Sequence, residues 1–506
     1  MIRREMHAAS MGGAAARKGA RALLALAALA CAPPPAGARP PAPPAELAQV
    51  CKRSPCQVTG ALPLPDRGGE IVLENLDARA SVTPYLHRAG WPDLRSNRAI
   101  LASILTPGMR PEATALALWE LVRTWRYSCT PWSEKSQELH DPVKLVNVFG
   151  CGLCDDTNAA LATLARQAGL PARLWGLGGH VVAEVSYDGG WHMLDAADGV
   201  YFRDDKGAIA ALETLARRPE LVASTANRAL RRPAVERMAQ LLAHGAGAET
   251  TGERAAVQAH FARLFRGFLA SRGETGPAAA AADPAELDRI VFARYAGIVQ
   301  STADNAVSDW WSTAGSDHTM ALALRPGDRL VYTLRPVGEA DMACYLGADA
   351  CFDASGELRR AALDALVQPV SQGRQPVVVE LLPYAVTAFS LDGSALAPGE
   401  ELDVFLGLDD QGWSSLGVLA RTAPLEYSFP EQAEPRFGYS LKLLRRGAEG
   451  EAALAGVRLA TRFRVAGKTL AWPAPGQAPV IVEATVDSRA PEFSGLRVVF
   501  RRTAAN

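Results

Sequence analysis

The spacing of apolar positions changes character along the chain. Between about residues 90 and 205, helical and extended patterns alternate. Ala115, Leu118, Trp119, Val122 and Trp125 recur at helical spacing behind the opening pair Pro111-Glu112. Leu161, Leu164, Ala165 and Ala168 repeat that spacing. Asp155, Asp156 and Thr157 stand at their start, and Gly169 and Pro171 mark the end. His180 to Tyr187 reads as a strand, Asp188-Gly189 as a two-residue hairpin loop, and Trp191 to Asp195 as the returning strand. In that register Tyr187 pairs with Gly190 and Val182 with Asp195. His180 and Asp195 then lie diagonally on one face, within reach of a side-chain hydrogen bond.

From about 206 to 312 the pattern is helical. Val257, Phe261, Leu264, Phe265 and Phe268 form a stripe, the Ala-rich stretch Pro277 to Ala282 reads as a linker or a weak helix, and Asp283-Pro284 opens a helix through Ile290 and Tyr295. From Thr319 the period falls to two. Met320, Leu322 and Leu324 alternate, as do Leu402, Val404, Leu406 and Leu408, and again Val457, Leu459, Thr461, Phe463 and Val465. Arg325-Pro326-Gly327-Asp328, Asp392-Gly393 and Asp409-Asp410-Gln411-Gly412 supply the turns. The expected class is α+β: a mixed domain over 90–205, a helical region over 206–312, and antiparallel β-sandwich over 313–506, as one module or as two divided near 380–395.

Composition narrows the setting. Of 506 residues 48% are hydrophobic, enough for several cores, and a net charge of -1 gives no reason to expect nucleic acid as a partner. The N-terminus carries Arg3, Arg4, Lys18 and Arg21, then the apolar run Ala22 to Ala30, then Ala36-Gly37-Ala38, an A-x-A cleavage pattern. Residues 1–38 therefore read as a signal peptide, and 39–89 as a leader and N-terminal segment. Ala28-Leu29-Ala30-Cys31 resembles a lipobox, which gives a lipid anchor at Cys31 as the alternative exit. Either route predicts an exported protein, periplasmic or secreted, with an outer-membrane lipoprotein as the variant. Export permits disulfides. The eight cysteines sort into Cys51 with Cys56, Cys129 with Cys151, and Cys344 with Cys351, with Cys31 lost or lipidated and Cys154 left over.

Cys154 is the candidate nucleophile. At a helix start, backbone N–H groups favour a thiolate and can hold an oxyanion. Asp155 and Asp156 oppose that ionisation, so a base must help. His180 is that base, and Asp195 can orient its ring and favour the imidazolium. Asn147, Tyr127 and Trp132 are candidates for a second oxyanion donor. Trp125, Trp175 and Trp191 read as core, Trp310-Trp311 as cleft lining or domain packing, and His192 as solvated.

The order Cys, His, Asp on a helix and two strands resembles the transglutaminase-like superfamily over roughly residues 110 to 205. Gly152-Leu153-Cys154, Leu170-Pro171-Ala172-Arg173, His180 with its Val-rich strand, and Trp191 with Asp195 carry the likeness. The resemblance implies a papain-like fold with Cys154 as nucleophile, His180 as general base and Asp195 as orienting acid. It implies acyl transfer on amide bonds of a peptide, protein or cell-wall substrate, by hydrolysis or by cross-linking; hydrolysis is favoured because an exported protein meets water in excess. No cofactor and no metal is expected. Oligomeric state is not legible. Two other readings stay open: a redox C-x-x-C at Cys151 and Cys154, and an exported binding or surface-assembly protein with a degenerate enzyme domain.

Overall fold

The computed structural model describes the chain from residue 46 to 502. It leaves out 61–68, 129–139, 231–283, 301–318, 335–359, 368–376, 381–384, 430–436, 447–456, 467–479, 487–492 and a few shorter breaks. The expected signal peptide and Cys31 lie outside the described residues. So do the stripe from Val257 to Phe268, Trp132, Trp310-Trp311 and the partners needed for the Cys129–Cys151 and Cys344–Cys351 pairings. No described helix is long and apolar enough to cross a membrane.

Four strands open the chain: β1 (Glu46–Cys51), β2 (Cys56–Gly60), β3 (Gly69–Asn75) and β4 (Val82–Arg88). Cys51 and Cys56 are joined by the expected disulfide across the β1–β2 loop. The leader read over 39–89 thus holds four strands. They pair with strands far along the sequence. Ile71 and Leu73, both fully buried, show where this pairing buries apolar surface.

Helices and short strands follow. α1 spans Asn97–Ile104, α2 Pro111–Trp125, and α3 Pro142–Lys144, which runs into a π-helical turn over Leu145–Phe149. β5 (Tyr127–Ser128) pairs in parallel with β6 (Cys151–Gly152). α4 (Cys154–Gln167) leads to the antiparallel sheet β7 (Ala172–Leu177), β8 (His180–Tyr187) and β9 (Gly190–Leu194). The hairpin register is the expected one: Tyr187 pairs with Gly190, and Ala183 with Leu194. Asp188 (φ 48°) and Gly189 (φ 77°) both adopt the left-handed conformation that a type I′ loop requires.

This sheet is covered on both faces. Leu174, Val181, Ala183 and Val185 join one core, which includes Leu161, Leu164 and Ala165 of α4. Trp175, Val182 and Met193 join a second core with α5 (Leu212–Arg217), α6 (Glu220–Ala223) and α7 (Pro284–Gln300). The alternation of side chains across β8 is what feeds two cores from one strand. The helices from the 206–312 region therefore pack directly on the sheet that carries His180.

The remaining strands are β10 (Arg329–Leu334), β11 (Arg360–Val367), β12 (Val377–Glu380), β13 (Val386–Asp392), β14 (Glu401–Gly407), β15 (Trp413–Ala420), β16 (Leu425–Ser428), β17 (Gly438–Arg445), β18 (Arg458–Ala466), β19 (Val480–Val486) and β20 (Leu496–Arg502). Eight strands order as β1-β20-β3-β10-β11-β18-β13-β16, four as β12-β17-β14-β15, and three as β2-β19-β4. The sheets do not divide near 380–395, because β10 and β11 share the large sheet with β13, β16, β18 and β20. The alternation at Met320 to Leu324 does not become a strand; Leu324 makes a single bridge to Val82. Arg95, just before α1, donates to Glu483 of β19 at 2.6 Å, tying the helical part to the β-rich part.

Candidate active site

Cys154 is the first residue of α4, as the helix-opening signals predict. The chain enters through Leu153 in extended conformation, and the Leu153 N–H donates to Asp156 Oδ2 at 2.9 Å. Asp156 is thereby turned into the helix entry. Thr157 fixes the same turn, its amide and its hydroxyl both donating to the Leu153 carbonyl. A Cβ on Gly152 would meet Asp156 Cβ at 2.8 Å and Leu145 Cδ1 at 2.9 Å, so glycine is required just ahead of the thiol. Cys154 itself is partly exposed and carries a free thiol.

His180 begins β8, and its side chain is 12% exposed. Its Nε2 lies 2.7 Å from Asp195 Oδ2, and the Cys154 thiol is near enough to the ring to help raise its pKa. With Nε2 committed to the carboxylate, Nδ1 is the ring nitrogen left to meet the sulfur. The diagonal predicted from the hairpin register is thus realised. Asp198 Oδ2 stands 3.7 Å from the same Nε2 and is 42% exposed.

Asp195 is fully buried at the end of β9. Its Oδ1 accepts from Asn158 Nδ2 (3.1 Å) and from the amides of Ala197 (2.9 Å) and Asp198 (3.1 Å). Its Oδ2 accepts from Tyr295 at 2.8 Å besides facing His180. Asn158 is in turn held by the carbonyls of Cys154 and Val181, and it accepts the Ala196 N–H. Burial pushes the Asp195 carboxyl up, but the His180 charge and hydrogen bond, the Asp198 amide and Asn158 outweigh it and bring it down to about 2. Burial also disfavours the His180 cation. The charges of Asp195 and Asp198, with hydrogen bonds to Asp195 and Cys154, overcome this and raise His180 well above its ordinary value. A cationic imidazole between a carboxylate and a thiol is the arrangement that stabilises a thiolate.

Two trios have ligand atoms within 4.8 Å of one another: His140 with Asp155 and Asp156, and His180 with Asp195 and Asp198. In the second trio both Asp195 oxygens already receive hydrogen bonds. In the first, Asp156 Oδ2 is engaged by the Leu153 amide. Asp155 faces His140, where it works against the burial that lowers that imidazole.

Other expectations fare variously. Asn147 is buried and its amide donates to the carbonyls of Leu94 and Val143, so it has no N–H aimed at the thiol. The Tyr127 and Trp125 side chains lie outside the described residues. Trp175 is core, as expected. His192 is not solvated: it stacks on Tyr187 at 3.8 Å between centroids, and its two nitrogens lie 2.6 Å from the Ile209 carbonyl and 3.1 Å from the Tyr187 carbonyl. A half-polar strand pattern could not reveal that the neighbouring loop folds over it. Sequence reasoning also missed Asn158 and Tyr295. Asn158 lies one helical turn after Cys154 and could have been found by that spacing. Tyr295 is separated from Asp195 by too much chain to leave a local signal.

Compared with known proteins, residues 98–196 match the model of the transglutaminase-like superfamily. No curated protein and no solved structure matches the chain. The matched segment runs from α1 to the residue after Asp195 and contains Cys154, His180 and Asp195. Residues 98–196 are a transglutaminase-like domain within this longer chain.

Proposed function

We propose that this protein is a cysteine-dependent acyl-transfer enzyme that acts on amide bonds through Cys154, His180 and Asp195, with hydrolysis favoured over cross-linking. The observation that carries the reading is the 2.7 Å contact of the His180 ring with the buried Asp195 carboxylate, with the Cys154 thiol near enough to the ring to help raise its pKa. In the proposed reaction the Cys154 thiolate adds to the amide carbonyl. Amides of the first turn of α4, which lack intrahelical acceptors, stabilise the developing oxyanion. The His180 Nδ1 proton passes to the leaving amine, and a thioester to Cys154 remains. Water then gives its proton to Nδ1 and attacks the thioester, releasing acid and restoring the thiol. Asp195 keeps Nε2–H oriented and stays ionised throughout. The substrate class is a peptide, protein or cell-wall amide. Export is part of the proposal, and the Cys51–Cys56 disulfide supports an oxidising compartment.

Alkylation of the protein by iodoacetamide across pH tests the reading. Cys154 should be alkylated faster at neutral pH than an unactivated thiol, and His180→Ala should remove that advantage. Cys154→Ala and His180→Ala should each abolish amine release from amide substrates while keeping the wild-type circular dichroism. An ordinary, sluggish thiol in the folded wild type would instead favour a degenerate enzyme domain in a binding protein.

A further inference from the structure

We propose that Tyr295 is a positioning residue for the candidate site: its hydroxyl, donated to the carboxylate oxygen that His180 also uses, fixes Asp195 and restrains the basicity of the imidazole. The proposal rests on the reading of Cys154, His180 and Asp195 as acyl-transfer machinery.

Tyr295 comes from α7, beyond the segment that matches the superfamily. It is 3% exposed, and Phe202 and Phe292 pack against its ring at 5.5 and 6.2 Å between centroids. The ring meets the His180 ring at 6.0 Å and 72°, an edge-to-face contact. The hydroxyl donates to Asp195 Oδ2 at 2.8 Å. The two carboxylate oxygens are held differently. Oδ1 takes its donors from the local loop and from α4, whereas among the described residues Oδ2 is shared by His180 and Tyr295 alone.

Sharing one oxygen has an electrostatic consequence. The phenolic hydrogen places partial positive charge beside His180 Nε2 and disperses the negative charge that attracts the imidazolium. Burial and the charges of Asp195 and Asp198 hold the Tyr295 phenol protonated, so it remains a donor. Among the described residues the titratable groups facing His180 are then Cys154 from α4, Asp195 and Asp198 after β9, and Tyr295 from α7. An imidazole held too basic would retain its proton and yield it slowly to the departing amine.

The experiment uses the full-length protein with carbon-13-labelled histidine, with the His180 resonance assigned from a His180→Gln variant. In Tyr295→Phe the imidazolium pKa should rise by about half a unit to one unit, the scale of one lost hydrogen bond. The upper limb of the Cys154 alkylation profile should move the same way. Site-specific replacement of Tyr295 by 3-fluorotyrosine, a stronger donor, should shift His180 downward, and it serves where Tyr295→Phe does not fold. A purely structural tyrosine would lower the unfolding temperature and leave the His180 titration in place; that result, or a downward shift in Tyr295→Phe, overturns the proposal. A wild-type Cys154 of ordinary reactivity would defeat the acyl-transfer reading separately, since the histidine titration does not depend on turnover.

Discussion

The indole N–H of Trp119 donates to the backbone carbonyl of Asp195 at 2.9 Å. α2 is thereby fastened to the residue that faces His180. Trp119 is held in turn by Tyr201, edge-on at 5.2 Å, and by the Arg123 guanidinium over its ring. Trp119→Phe keeps most of the apolar volume and leaves the carbonyl of a fully buried residue without this donor. The carbonyl keeps the Val200 amide, so the expected loss is about 0.5–1.5 kcal/mol, read from the urea midpoint. Thiol reactivity should fall with it, because α2 no longer fastens the segment that carries the carboxylate.

Glu184 is fully buried on the face of β8 that meets α5. Arg173 contacts its Oε2 through both Nε and a terminal nitrogen at 2.7 Å, Trp175 Nε1 donates to the same oxygen at 2.6 Å, and the Leu212 amide donates to Oε1 at 2.7 Å. The carboxylate thus ties β7, β8 and the start of α5 together. Glu184→Ala strands the Arg173 charge among the rings of Trp175 and Trp191 and should cost about 3–5 kcal/mol. Glu184→Gln retains one acceptor and should cost less. Thermal unfolding of the two variants and the wild type provides the comparison; a Glu184→Gln midpoint equal to the wild type's would show that the charge of the pair contributes nothing.

Stability should depend on pH through the His180–Asp195 pair. Asp195 titrates at about 2 in the folded protein. The unfolded value is near 3.9, so its contribution is complete above about pH 4 and fades as the solution becomes more acid. His180 is raised above its unfolded value of about 6.5, so its contribution is complete on the acid side of that value and is lost as pH climbs through the folded one. Urea unfolding of wild type and His180→Gln from pH 4 to 9 should show the largest gap between about pH 4 and 6, narrowing above neutrality. A gap constant across the range would contradict the linkage.

How much of this was legible in the sequence depended on distance along the chain. Asp188-Gly189 set the loop type, the loop set the register, and the register placed His180 beside Asp195. Cys154 was legible because the acidic pair and Thr157 announce a helix start. Tyr295 was not, because α7 reaches the site only by covering the second face of the sheet, and apolar spacing shows that a helix has a buried side without saying what it meets. The N-terminal strands were hidden for the same reason. Val72 of β3 is flanked by Val331 of β10 and Val499 of β20, and no local pattern encodes such partners.

The place of β3 between β20 and β10 also governs when the molecule can be completed. During synthesis the earliest strands emerge long before their neighbours exist, so the large sheet cannot close until β20 has left the ribosome. Such non-local pairing folds slowly. A chain with this weave stays open while it is being made and finishes assembling only after its last strand is available.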